Sequence, residues 1–343
     1  VVRGEAAPTP RMADVARLAG VSQQMVSRVV NGKTNVTPEV RERVERAIGQ
    51  LRYHPNVAAR ALAGNRAMNI GVVALGVPLY ANTAMLYGIT EENWTHGYGT
   101  SVITVDRVSG PRLREAVQHH LAAGVAGIVL LTSLAAADEA IGDLTPTVPV
   151  VLFGPGGDDR AGVISLDDAT GAALATRHLL ELGHETVWYI AGRSDWTADG
   201  GRREGWENEL RRAGRTVPPV LPSDWTAASG YAAGERIAAD PAITAVFASN
   251  DDVALGACKA LADRGVRVPE DVSIVGFNDV PFAEYFRPGL TTVRLDFFEV
   301  GRACAREVVA NIAGDRRADP ALPPHTLVVR ASTAPPAARR SAS

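Results

Sequence analysis

Residues 14–64 read DVARLAGVSQQMVSRVVNGKTNVTPEVRERVERAIGQLRYHPNVAARALAG, and the spacing of apolar residues here decides the fold of the N-terminal part of the chain. Across its start, Met12, Val15, Ala16 and Ala19 recur at helical spacing on one face. Gly20 ends that helix, Val21 packs inward, and Ser22 is a good N-cap for the next. In residues 23–30, QQMVSRVV, inward Val26, Val29 and Val30 leave Gln23, Gln24, Ser27 and Arg28 pointing outward. Two short helices about a glycine turn make a helix-turn-helix. Asn31-Gly32 closes the second helix. A third starts at Thr37 as N-cap with Pro38 in the first helical position, and Val40, Val44, Ile48 and Leu51 carry its apolar stripe.

The outward set has the chemistry to read bases. Glutamine pairs bidentately with adenine and arginine with guanine in the major groove, although on an isolated helix the same residues would simply keep it soluble. The charge distribution agrees. Residues 1–66 hold 11 Lys+Arg against 5 Asp+Glu, whereas the remainder holds 24 against 33, so a basic head precedes an acidic body. Residues 55–64, PNVAARALAG, have helical composition between Pro55 and Gly64. A helix this short is not stable alone in water.

The stretch DVA..AGVS...VSRVVN, followed by VT...R..V..A...L.Y.PN..A..LAG, resembles the N-terminal domain of the lactose/galactose repressor (LacI/GalR) family. That resemblance implies that Gln23, Gln24 and Arg28 read bases, while Ser22, Ser27 and Asn31 touch phosphates, which position without specifying. It also makes residues 55–67 a hinge helix and linker that folds on DNA. Leu62 would be the apolar wedge between base steps in the minor groove, beside Ala59. Two departures stand out. Arg11 occupies the place of the usual threonine N-cap, with Thr9-Pro10 as an alternative start, and Met25 replaces a common threonine.

After Met68 the pattern changes. Apolar strand-like runs at Ile70–Ala74, Ser101–Val105, Gly127–Leu131, Val148–Phe153, Gly162–Leu166, Thr186–Ile190, Ala245–Ala248, Val272–Val275 and Thr291–Leu295 alternate with helical segments. Those helices are read at Leu113–Ala122, Gly171–Leu182, Gly201–Ala213, Gly230–Ala239, Asp252–Arg264 and Val300–Ala313. Alternation of this kind means parallel α/β sheets, and the length favours two lobes. Polar residues gather just past the strands: Asp167-Asp168, Asn250-Asp251-Asp252, Asn278-Asp279 and Asp296. Ligands bind there in open α/β sheets, and the same residue types also cap helices, Asp252 being the plainest cap candidate.

The resemblance extends through VISLDDATGAALATRHLLELGHETVWYIAG, FASNDDVALGACKALADRGVRVPEDVSIVGFND and RPGLTTVRLDFFEVG, covering residues 11–333. It implies an effector domain like the type I periplasmic sugar-binding proteins: two doubly wound lobes joined by three chain crossings, with a ligand between them. On that pattern Arg202, Asn250, Asp251 and Asp279 (or Asn278) bind ligand hydroxyls. Trp225, Phe297 and Tyr80 supply flat apolar faces suited to a sugar ring. The family often has a single Asp where Asn278 stands.

The reading is therefore a small all-α helix-turn-helix domain (11–54) after a disordered arm (1–10), then the hinge (55–67), the effector domain (68–333) and a disordered tail (334–343). The expected function is ligand-controlled repression of carbohydrate-utilisation genes, with double-stranded DNA and a sugar or glycoside as partners. A sugar-binding transport protein is the alternative, though it would need an export signal, and Val1–Pro10 shows none. Apolar runs such as Gly124–Leu131 are too short to span a membrane, so the protein is expected in the cytoplasm, at the nucleoid. One head reads one half-site, which predicts a homodimer on a pseudo-palindromic operator. The end TAPPAARRSAS lacks the leucine-heptad helix that makes some members tetramers. No cofactor, metal or enzymatic activity is expected: catalytic motifs are missing, and Cys258 and Cys304 read as small buried hydrophobes. His119-His120 reads as a surface pair on an amphipathic helix.

Overall fold

The computed structural model describes residues 10–30, 35–53, 67–76, 79–106, 109–132, 137, 139–140, 142, 146–155, 162–193, 197–315 and 322–337. The chain divides into two compact units at Ala67–Met68.

In the first unit, α1 (Met12–Ala19), α2 (Gln23–Val30) and α3 (Pro38–Leu51) enclose a core of Val15, Ala16, Ala19, Val26, Val29, Val44, Ala47 and Tyr53. Gly20 takes a left-handed φ of 64°, which lets its N–H reach the carbonyls of Ala16 and Arg17. Ser22 Oγ accepts from Met25 N–H at 3.2 Å and so caps α2. The start of α1 falls at Met12 with Arg11 as N-cap. Arginine has no acceptor to offer there. Instead Asp14 reaches back, its Oδ2 accepting from Arg11 N–H at 3.0 Å. At the other end of the unit, Arg52 turns left-handed after α3, and Tyr53 N–H bonds to Ile48 O, which brings the tyrosine ring into the core.

The second unit holds two five-stranded sheets. The first contains β1 (Asn69–Leu75), β2 (Gly99–Val105), β3 (Gly127–Leu131), β4 (Val150–Pro155) and β5 (Val163–Leu166), in the order β2-β1-β3-β4-β5 and all parallel. Helices α4 (Tyr80–Thr95) and α5 (Gly110–Ala122) make its crossovers. The second lobe contains α6 (Asp168–Glu181), β6 (Trp188–Ile190), α7 (Thr197–Arg212), α8 (Ala227–Ala238), β7 (Ala245–Ala248), α9 (Asp251–Asp263), β8 (Ser273–Asn278) and β9 (Thr291–Arg294). The next helix, α10 (Phe297–Ala313), returns to the first lobe and packs on α4, β3 and β4, and β10 (Thr326–Val328) then closes the second sheet. That sheet runs β10-β9-β8-β7-β6, antiparallel only between β10 and β9. The chain thus crosses between lobes after β5, after β9 and after α10.

Several helices begin about three residues before the glycines that mark them in sequence. Asp167 Oδ1 accepts from Thr170 N–H at 3.0 Å and starts α6; Thr226 Oγ1 accepts from Ser229 N–H at 3.2 Å and starts α8. The glycines serve packing instead. A Cβ on Gly230 would lie 2.2 Å from Val253 O, and one on Gly256 would lie 1.9 Å from Ala227 O, so α8 and α9 cross backbone to backbone.

Three expectations change. His120 is buried, not a surface residue: Nε2 faces Val72 O at 3.3 Å, Nδ1 faces Ser101 Oγ at 3.5 Å, and Gly71 leaves room for the ring. Burial pushes its pKa down, so it packs as a neutral ring. The expected disordered tail begins too early at 334: Ala334 O accepts from His184 Nε2 at 3.0 Å and from Ser273 Oγ at 2.9 Å, and residues 338–343 lie outside the described residues. Asp252 does not cap α9; Asn250 does, its Oδ1 accepting from Val253 N–H at 2.7 Å. Both cysteines have thiols pushed up to about 12 by burial. Among the described residues no helix is long and apolar enough to cross a membrane, and no His/Cys/Asp/Glu group could hold a metal.

Candidate functional site

On the head, α2 presents Ser22, Gln23 and Gln24 to solvent, with Ser27 and Arg28 half-buried at the same surface. The valines of that helix are turned into the core, which fixes which face is free. Asn31, Ala59 and Leu62, the remaining expected DNA contacts, lie outside the described residues.

In the body, one recess gathers residues from the carboxyl ends of strands in both sheets and from the helices that follow. It is a narrow recess, partly open to solvent. Six of the eight expected effector residues line it: Tyr80, Arg202, Trp225, Asn250, Asn278 and Phe297. Tyr80 opens α4 and Phe297 opens α10; their rings meet edge-on with centroids 6.3 Å apart. Trp225 sits at φ 70° just before α8, and its indole covers Gly192 so closely that a Cβ there would fall 1.7 Å from Nε1. Asn250 Nδ2 donates to Trp225 O at 3.2 Å and holds that left-handed turn. Asn278 is also left-handed, at φ 108°, an uncommon conformation for a residue with a side chain.

Arg202 is buried. Its Nη1 donates to Ser249 O at 2.6 Å, its Nε and Nη2 lie 3.4 and 3.5 Å from Asp168 Oδ1, and its guanidinium stacks 4.1 Å from the Phe277 ring centroid. Burial raises the pKa of Asp168, and the charge of Arg202 opposes that rise. Tyr80 is likewise raised, by burial first and then by Asp296, Asp279 and Asp251.

Asp251 and Asp279 do not line the recess. Asp251 is wholly buried; Oδ1 accepts from Thr292 Oγ1 at 2.6 Å and Oδ2 from Val280 N–H at 2.8 Å, stitching α9 to β9 and to the turn after β8. Asp279 accepts from Arg294 Nε at 2.6 Å and from Arg330 Nη2 at 2.7 Å. Acids expected to take ligand hydroxyls thus have their oxygens occupied within the fold. Asn82, Phe153 and Met85 line the recess without having been singled out in the sequence, and Asp168 and Asp252, noted there only as acids past strands, line it too. Asp168 had a signal, its place straight after β5; Asn82, on a helix that sequence reasoning did not find, had none.

Residues 11–56 match the bacterial regulatory proteins of the lacI family, and residues 176–333 match a periplasmic binding protein-like domain. The chain is 31% identical to the lactose operon repressor of Escherichia coli K12, over 94% of this chain and 90% of that protein. The chain belongs to the LacI family. It is 35% identical to the transcriptional regulator CelR of Thermobifida fusca over 89% of this chain and 93% of that one, and 32% identical to the repressor PurR of Haemophilus influenzae Rd over 84% and 87%. Among solved structures, the Lac repressor dimer bound to operator and the anti-inducer ONPF superposes with a TM-score of 0.88, at 30% identity over 95% of this chain and 99% of that one. A complex of CelR with cellobiose gives 0.70, at 30% identity over 94% and 99%. This LacI-family member is therefore a transcription regulator, with a DNA-binding helix-turn-helix head and a two-lobed α/β body; its named relatives are repressors and regulators, not enzymes.

Proposed function

We propose that this chain represses carbohydrate-utilisation genes as a cytoplasmic, nucleoid-associated homodimer, and that a sugar or glycoside in the inter-lobe recess controls its hold on a pseudo-palindromic operator. The observation that carries this reading is the recess itself, which Arg202 and Asn278 line together with Tyr80, Phe297 and Trp225. Polar groups for hydroxyls beside aromatic faces for C–H surfaces suit a sugar ring. The relatives support it: the lactose repressor structure carries operator and the anti-inducer ONPF, and the CelR structure carries cellobiose. Gln23, Gln24 and Arg28 read bases, and Ser22, Ser27 and Asn31 hold phosphates, with residues 55–67 as the hinge helix, Leu62 as its wedge and Ala59 beside it. Dimerisation is supported by aromatic and aliphatic side chains left exposed on the body, among them Tyr87 and Trp94 on one face of α4 and Val102 on edge strand β2.

Duplex binding tests the head. Affinity for a selected operator should fall steeply as salt rises from 50 to 200 mM, by roughly 10³ or more if six phosphates are neutralised. A flat salt response would sink the DNA reading. A thermal-shift screen against mono- and disaccharides tests the recess, since a ligand at about a hundred times its Kd adds roughly 2.7 kcal/mol.

A further inference from the structure

The polar groups of the recess divide into those already committed inside the protein and those that are not. Arg202, the one cationic side chain among the described lining residues, is matched by Asp168 and by Ser249 O. Asn250 uses its oxygen as the cap of α9 and its amide nitrogen on Trp225 O. Asn82 Nδ2 donates to Leu75 O at 3.3 Å. Two groups remain. Asp252 lines the recess half-buried and makes no hydrogen bond or ion pair with any described residue. Asn278 is 7% exposed, and its Oδ1 is buried with no hydrogen-bond partner among the described residues. Both are acceptors. Once Asp168 and Arg202 cancel, the recess keeps one uncompensated negative charge among its described lining residues, that of Asp252.

Given the reading of this recess as the effector site, we infer that Asp252 makes it select an uncharged, hydroxyl-bearing ligand and reject phosphorylated or carboxylated ones, with Asn278 as the second hydroxyl acceptor. A carboxylate partly withdrawn from water loses solvation that a ligand O–H restores through a short charge-assisted bond. A ligand anion in the same space meets Coulomb repulsion with little solvent between to weaken it. The unpartnered Oδ1 of Asn278 likewise asks for a donor, and a polyol supplies donors at adjacent ring positions. Burial raises the pKa of Asp252, consistent with its lack of a protein partner. A place in the first turn of α9 also favours an acid through the helix dipole. That would hold the carboxylate in position but would confer no preference between ligands, so selectivity, not stability, is the measure.

The experiment uses the full chain. A thermal-shift screen of neutral mono- and disaccharides, their phosphates, uronic acids and purines identifies the tightest binder, and titration calorimetry then gives Kd for it and for its phosphorylated counterpart. Wild type should bind the neutral sugar roughly 100-fold more tightly than the phosphate. D252N should narrow that ratio about tenfold or more, and N278L should weaken the neutral sugar about tenfold without narrowing it. Far-UV circular dichroism matching that of wild type confirms that both variants fold. If a phosphate or uronate binds wild type as tightly as its neutral parent, or D252N leaves the ratio where it was, the inference is overturned while the recess stands as the effector site. If a purine binds most tightly, the inference falls together with the sugar assignment. Binding by none of the four classes overturns the reading of the recess and the inference with it.

Discussion

Asp251 and Glu209 show how far one residue's surroundings can move a carboxyl, and in opposite directions. Burial raises Asp251 to about 7 from 3.8, against the opposing hydrogen bond from Thr292. Its contribution to stability is fully present below about 3.8 and lost as pH rises through about 7. In D251N the remaining side-chain oxygen can accept from Val280 N–H and the new amide can donate to Thr292 Oγ1, so its melting temperature should fall less than that of wild type between pH 5 and 8. A parallel fall in both proteins would contradict the buried-acid assignment. Glu209, bonded by Arg212 and Arg177, is lowered to about 2 from 4.5, so its contribution holds above 4.5 and is lost as pH falls through 2. The destabilisation caused by E209Q should accordingly be largest near neutrality and shrink in acid. Gly192 is a third case. G192A places a methyl where the Trp225 indole lies, and sugar affinity should drop at least tenfold while operator affinity is kept; full retention of sugar binding would show that the indole does not need that seat.

At the scale of elements, α8 and α9 touch through Gly230 and Gly256, and a methyl at either position meets backbone atoms that cannot step aside. G256A should cost about 1–3 kcal/mol, read as a lower urea midpoint at unchanged slope. The same glycines explain what was hard to see in the sequence. Glycine reads as a helix boundary, so helix starts at Gly171 and Gly230 fall late, although Asp167 and Thr226 stand in place to cap. Strands Gly127–Leu131 and Ala245–Ala248 are legible to the residue because buried parallel strands are continuous apolar runs with clear edges. Helix α4 gave no such signal: its buried face carries Asn82, Glu92 and Asn93, and Glu92 accepts from Arg302 Nε at 2.7 Å, so polarity hides the stripe. In the recess, the aromatics and Arg202 were legible from motif position. Which members of Asn250-Asp251-Asp252 line the recess was not, because successive residues at a helix start point in different directions and only packing decides among them.

For the whole molecule, the last described residues act as a strap across the second lobe. Ser332 Oγ donates to Ile274 O at 2.6 Å and accepts from Thr291 N–H at 2.8 Å; His178 Nε2 meets Thr333 Oγ1 at 3.0 Å; His184 joins Thr244 and Ala334. S332A strands a buried carbonyl and a buried amide, each worth about 1–3 kcal/mol when left unsatisfied, and should lower the melting temperature by several degrees. Burial pushes both histidines below their usual pKa of 6.5, so their share of stability is present above that value and fades as pH falls beneath it.

The three crossings between lobes bear on how the protein is made. The first sheet is complete by Leu166, but α10, which packs on it, arrives only at Ala313, and β10 and the strap follow last of all. On the ribosome, the second sheet must wait with β9 as an open edge until β10 has emerged, and sheet edges of this kind are where chains adhere to one another. A transcript cut short near its end therefore yields a polypeptide with an intact head and an unfinished body. Such a product would leave the β9 edge open, and an open edge is what proteases and neighbouring chains act on.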